Sequence, residues 1–188
     1  MKRIEELDVA VLSPEQASVY AAIASGPRGG VRGPLAVWLH RPGLASSAQT
    51  LGQYCRYETC LPPRLSELAI IVTGRIWQSQ YEWDAHVPLA LQAGIASETV
   101  DALANGEAPH FERADEEAVH DFVTALHRER FVSDSLYERA VKVLGQEAVV
   151  DLVGIAGYYT LISMTINAFC IESQHDGAPA FTPTENDR

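Results

Sequence analysis

The stretch Ser79–His86, "SQYEWDAH", sets a carboxyl and an imidazole four residues apart. At about 100° per residue, Ser79, Glu82 and His86 fall within roughly 60° of one another on a helix wheel, so their side chains project into one small region. Burial raises a carboxyl pKa, and a carboxylate favours the imidazolium. A partly desolvated Glu/His pair therefore holds a proton near neutral pH, which is the equipment of general acid/base catalysis. The same residues also have an architectural reading. Ser79-x-x-Glu82 has the form of a capping box, and Glu82/His86 is an i, i+4 pair worth only a few tenths of a kcal/mol on an exposed face. Spacing alone leaves both readings open.

Glu67 adds weight to the chemical one. In "RLSELAIIVTGRIW" it is a lone carboxylate in a run apolar enough to be core. Burying a carboxylate costs several kcal/mol unless it is paired or protonated. Arg64 and Arg75 are its candidate structural partners, and a functional role is the other reading. His40 and Arg41, in "WLHRPG", could reach a substrate carboxylate, since arginine offers a bidentate fork. Tyr81 and Trp83 flank the motif and either line a pocket or pack in the core. Asn167, on the apolar last helix, needs a polar partner, which a subunit interface could supply. His120 and His127 lie seven apart on what reads as a solvated face. Glu82 and His86 are two ligands without an HExxH or a third nearby histidine, so no metal is assigned. "GPRGGVRG" follows no strand, and no phosphate loop or dinucleotide fingerprint is present, so no cofactor is expected.

The elements that must position these residues read as helices. "SPEQ" at Ser13 has a capping serine, proline at the first helical position and glutamine at the third. "SSAQ" near Ser46 starts a second helix through about Tyr57. "PPRLSELAIIVTGRIW" reads as a buried helix, "SETVDALANG" as a short one ended by glycine, and "DEEAVHDFVTALHRER" as an amphipathic one with Val119, Phe122, Val123 and Leu126 on its apolar face. "SDSLYERAVKVLG" closes on Gly145. A final long helix spans about Gln146 to Phe169. No strand-period run of useful length appears, so the expected class is all-α. Residues 1–172 read as one helical domain and 173–188 as a polar tail, mobile or draped on a partner.

Length and charge bound the partners. The 188 residues carry 25 acidic against 14 basic side chains, a formal net charge of −11. A surface this acidic repels phosphate backbones, and no Lys/Arg stripe offsets it, so nucleic acid and anionic membrane surfaces are poor partners. The uncharged run Leu152–Ile171 holds Asn167, two glycines and two tyrosines between acidic flanks, which fits a buried helix or an oligomer interface better than a membrane span. The N-terminus has no apolar run after its basic residues, so no secretory signal is read. Cys55, Cys60 and Cys170 form no C-x-x-C, which suits a reduced, cytoplasmic protein; Cys55 and Cys60 would share a face if their helix continued.

The block "RLSELAIIVTGRIWQSQYEWDAHVPLALQAGIASETVDAL" resembles the core of the carboxymuconolactone decarboxylase family, which includes the alkylhydroperoxidase D-like proteins. "RPGLA" upstream and "VVDLVGIAGYYTLISMTINAF" downstream extend the likeness over roughly residues 34 to 170. The resemblance implies a helical bundle assembling as trimers or hexamers, with sites near subunit contacts. In the peroxidase branch the motif is a glutamate, eleven residues, C-x-x-C, three residues, then histidine. Glu67 and His86 match its ends, while Ser79 and Glu82 stand at the two cysteine positions. Without a thiolate there, peroxide attack and disulfide formation have no nucleophile. The resemblance thus implies a non-redox site of Glu67, Glu82 and His86; His40, Arg41, Tyr81, Trp83 and Asn167 stay candidates for substrate binding on their own chemistry. The expected activity is decarboxylation, or a related proton transfer, on a small oxygenated organic acid or lactone. A binding or assembly protein that keeps the fold without the chemistry is the alternative.

Overall fold

In the computed structural model, residues 3–173 and 179–181 are described, and among them every regular element is helical. The helices are α1 Pro14–Ser25, α2 Pro34–Trp38, α3 Pro42–Tyr57, α4 Pro63–Ile76, α5 Gln80–Gln92, α6 Ser97–Asn105, α7 Ala114–Arg128, α8 Asp134–Leu144 and α9 Gln146–Phe169. The all-α class expected from the sequence is what forms.

Local chemistry sets most starts. Proline stands in the first turn of α1, α2, α3 and α4, where its fixed φ suits the helix and its missing N–H costs nothing. At α1 the capping box is complete: the Ser13 hydroxyl accepts from the Gln16 amide (3.2 Å), and the Gln16 side chain accepts from the Ser13 amide (2.9 Å). The Ser133 hydroxyl caps α8 in the same way, accepting from the Leu136 amide at 3.3 Å. Pro42 starts α3 four residues before the expected "SSAQ" signal, and Pro34 builds a short helix where a connection was expected. Proline at the first helical position outranked the serines that follow.

Ser79 departs from expectation. It stands at the N-terminus of α5, yet its hydroxyl makes no capping bond and is buried without a partner. Its amide, which a capping-box glutamate would take, already donates to the Gly74 carbonyl at 2.8 Å. That bond closes the tight link between α4 and α5, in which Gln78 is left-handed at φ 51°. Glu82 is thereby free to turn its carboxyl elsewhere.

Helix α4 is the centre of the bundle, packing against α5, α7 and α9. Leu65, Leu68, Ala69, Ile70, Ile71 and Val72 are all buried along it. Helix α9 contains a window of mean hydropathy 1.6, long and apolar enough by length and composition to cross a membrane, but 61% of that window is buried inside this protein. Helix α3 ends at Tyr57, so Cys55 and Cys60 share no helical face; Cys55 is buried and Cys60 exposed. Most of the expected tail lies outside the described residues, but Phe181 packs edge-on against Trp83 at 5.4 Å, with the Arg75 guanidinium 4.9 Å from its ring. The Ala180 amide donates to the Gln80 side chain. This part of the tail rests on its own chain.

Candidate active site

Helices α4 and α5, antiparallel neighbours through a short link, bring Glu67, Glu82 and His86 together. The His86 side chain is 2% exposed and Glu82's is 6% exposed. Nδ1 of His86 lies 2.7 Å from Glu67 Oε2, and Nε2 lies 3.4 Å from Glu82 Oε2. One imidazole thus sits between two carboxyl groups. Glu67 pairs with neither structural candidate. Arg64 binds Asp115 and Glu116 instead, and Arg75 donates to the carbonyls of Leu103 and Ala104.

A single imidazolium can neutralise only one of two carboxylates. Burial pushes the Glu82 carboxyl above its ordinary 4.5, more than His86, Arg56 and Arg28 pull it back; Glu67 adds to the upward push. A Glu67 carboxylate accepting from Nδ1–H fixes the ring and leaves Nε2 to exchange a proton with Glu82 or a ligand. Edge-on contact with the Tyr159 ring, 5.2 Å between centroids, holds the imidazole from another side.

Glu82 and His86 line a cavity of about 210 Å³ closed by α9 and by the 26–33 connection. Sequence reasoning missed much of its wall: Arg28 and Arg32 from the connection, Arg56 from α3, and Tyr158 and Tyr159 from α9. The Arg28 guanidinium donates to the Tyr158 hydroxyl at 3.3 Å. Burial pushes Tyr158 up to about 12 and Tyr159 well above 10.0, so both stand as neutral hydroxyls. Gly52 makes room for this pair: a Cβ there would lie 2.0 Å from the Tyr158 hydroxyl oxygen and 2.6 Å from Arg28 Nη2. Gly33, at φ 55°, carries the connection past Tyr81, whose hydroxyl would lie 2.5 Å from a Cβ at that position.

Of the residues expected to bind substrate, Tyr81 lines the cavity and the others lie elsewhere. His40 Nε2 is 3.0 Å from the Glu5 carbonyl, and Arg41 is an exposed residue at the start of α3. Trp83 faces Phe181 in the core. Asn167 donates to the Trp77 carbonyl at 2.7 Å, so its partner is in its own chain. His120 and His127 are half-buried rather than solvated; His127 approaches the Thr73 hydroxyl at 3.3 Å, and burial lowers its pKa. Among the described residues, no group of three or more His, Cys, Asp or Glu side chains has the arrangement of a metal site.

The carboxymuconolactone decarboxylase family model matches residues 42–120, the block that carries Glu67, Glu82 and His86. The match covers this central block and makes the chain similar to that family there. Its fold resembles that of solved structures. One is an uncharacterized peroxidase-related protein from Ralstonia eutropha JMP134 with an alkylhydroperoxidase AhpD core, at TM-score 0.74 and 15% identity, with 92% of each chain covered. Another is an uncharacterized peroxidase-related protein from Silicibacter sp. TM1040, at TM-score 0.72 and 14% identity, with 91% of each chain covered. At these identities the likeness concerns the fold alone. A comparison with curated proteins finds no match.

Proposed function

We propose that this chain is a member of the carboxymuconolactone decarboxylase family and a cofactor-independent acid/base enzyme acting on a small oxygenated organic acid or lactone, by decarboxylation or a related proton transfer. The observation that carries the reading is the buried His86 between two carboxyl groups at the wall of a cavity. Glu67 is a positioning residue that holds Nδ1–H. Glu82 and His86 Nε2 form the proton-transfer pair. In a decarboxylation the carboxylate carbon–carbon bond breaks, carbon dioxide leaves, and the electron pair passes into an adjacent carbonyl as an enolate. The Glu82/His86 pair then delivers one proton to carbon, and solvent restores it.

The peroxidase names of the structural neighbours do not carry over. Ser79 and Glu82 occupy the positions of the peroxidase cysteines. Cys55 is buried, with its thiol pushed up to about 11, chiefly by that burial, so it supplies no ready thiolate. Assembly into a homo-oligomer belongs to the same reading. Val150, Val153, Leu161 and Met164 form an exposed apolar stripe along α9 that supports it; light scattering that gives a monomer mass would remove this part.

The test is turnover of carboxymuconolactone and simpler carboxylated lactones by the wild type, His86→Gln and Glu67→Gln. Loss of about 100-fold or more is expected for His86→Gln. For Glu67→Gln a smaller loss with a displaced pH profile is expected. Folded variants that turn over as the wild type does would contradict the assignment.

A further inference from the structure

In a chain with 11 more acidic than basic residues, arginines gathered on one small cavity call for an explanation. Arg28 and Arg56 both line the 210 Å³ space beside His86, and Arg32 stands exposed at its edge. Among the described residues, neither Arg28 nor Arg56 makes an ion pair with a carboxylate. Arg28 donates to the neutral Tyr158 hydroxyl, and its Nε is buried with no acceptor among the described residues. Arg56 stacks on Tyr57, its carbon 5.5 Å from the ring centroid. The Tyr159 hydroxyl, on a side chain only 2% exposed, is also buried with no partner. Buried donors without acceptors are costly, more so when charged, and native proteins rarely keep them without a use.

These orphans share a chemical character. Guanidinium N–H groups and a neutral phenol are hydrogen-bond donors, and they share the wall of this space with the Glu82/His86 pair and with apolar groups such as Leu35 and Ile162. Donors on one side and hydrocarbon on the other suit an oxyanion attached to a carbon skeleton. The planar fork of a guanidinium matches a carboxylate in both spacing and plane. A bare phosphate would leave the apolar wall without a complement.

We propose that Arg28, Arg56 and the Tyr159 hydroxyl form a carboxylate-binding subsite that clamps a small organic acid against His86. The subsite uses the same cavity as the proposed function but does not depend on any proton transfer there. The Arg28–Tyr158 bond fixes one guanidinium, and Gly52 provides the space for it. Helix α3 supplies the other guanidinium, so the ligand bridges the 26–33 connection and the bundle. Arg32 at the mouth attracts anions without contacting the bound group.

Calorimetric titration of the full chain with acetate, succinate and benzoate, alongside the methyl ester of each and inorganic phosphate, tests this directly. At least one carboxylate should bind. Its neutral ester should bind about tenfold or more weakly, since a charge-assisted hydrogen bond is worth about 1.5–3 kcal/mol. Arg56→Gln and Arg28→Gln, each confirmed as folded by circular dichroism, should each lose about tenfold in affinity. Tyr159→Phe should lose a smaller factor. Should one arginine variant fail to fold, the other and Tyr159→Phe carry the test. Binding to the wild type is read without any turnover, so failure of the acid/base reading would leave this result standing. The proposal is overturned if no carboxylate binds, if the esters bind as well as the acids, if phosphate binds more tightly than every carboxylate, or if the folded arginine variants bind unchanged.

Discussion

Helix α4 carries two charged side chains one turn apart, Arg64 and Glu67, and they enter two clusters of opposite design. Arg64 meets Asp115 at 2.6 Å and also Glu116, both from α7. There a permanent cation faces two carboxylates, and the charges lock. Asp115 is held below its ordinary 3.8: burial alone would raise it, but the hydrogen bond and charge of Arg64 outweigh that. Glu67 meets His86, and His86 meets Glu82. A titratable base replaces the guanidinium, and the second carboxyl rises instead of falling. Two carboxyls around an arginine make a fixed clasp, while two around a histidine leave a proton that can move. The first cluster joins α4 to α7, with Asp115 at the edge of a groove lined by Leu61, Leu65 and Leu144. The second opens on the small cavity.

Exchanging the two roles by mutation is the strongest way to break this contrast. Arg64→Ala leaves the buried Glu116 with only the more distant Arg113, 3.9 Å away, and should lower stability by about 3 kcal/mol, read from chemical denaturation, while turnover per folded molecule stays within about twofold. His86→Gln should do the reverse, removing about 100-fold or more of the turnover with only a modest stability change. If both variants lose stability and activity alike, the clusters do not differ as described.

Gly52→Ala is expected to have the next largest effect. A Cβ 2.0 Å from the Tyr158 hydroxyl oxygen forces α3 and α9 apart or dislodges Arg28. Overpacking of this kind costs about 1–3 kcal/mol, and carboxylate affinity should fall with it. A variant as stable as the wild type, with unchanged binding, would show that the Arg28–Tyr158 pair is not held by this space.

Acid and base titration of stability separates the clusters by sign. Glu82 has a folded pKa above its ordinary 4.5, so the folded state holds that proton more tightly than the unfolded chain. Its contribution is fully present below 4.5 and is lost as pH rises through the raised value. Asp115 has a depressed pKa, so its contribution is present above 3.8 and is lost as pH falls through the folded value. Glu82→Gln should therefore flatten the decline on the upper side of pH 4.5 and leave the acid limb in place. Steepening of that upper decline in Glu82→Gln would contradict the assigned direction.

The smallest effect concerns the two serines that look alike in sequence. Ser13→Ala removes a working cap and should cost about 1 kcal/mol. Ser79→Ala removes a hydroxyl that has no partner, so thermal denaturation should show a change within about 0.5 kcal/mol or a slight gain.

Much of this was readable in the sequence, for identifiable reasons. The apolar run around Glu67 and the Glu82/His86 spacing are local patterns, and local patterns survive folding. The helices starting at Ser13, Pro63 and Gln146 were equally legible from caps, prolines and periodicity. The capping box at Ser79 does not form because the competitor for its amide, the Gly74 carbonyl, belongs to the preceding helix. The arginines were missed because "GPRGGVRGP" has no periodicity and its docking over α9 is a long-range event. Arg56 gave no sign within an ordinary amphipathic helix. A signal was present all the same: basic side chains in a glycine-rich connection of an acidic chain, and a glycine inside α3 where Tyr158 needs room. His40 sits against the Glu5 carbonyl and Arg41 is exposed, away from the His86 cavity, since nothing local tells which arginine a fold will turn inward.

The central claim, a mobile proton at Glu82 beside a locked clasp at Asp115, is tested most directly by a carbon-13 NMR titration of the side-chain carboxyls, with Glu82→Gln and Asp115→Asn used for assignment. The account predicts that Glu82 titrates above 4.5 while Asp115 titrates below 3.8 in the same sample. A Glu82 carboxyl that stays ionised to below 4.5, following the pattern of Asp115, would make the His86 cluster a second fixed clasp and would contradict the account.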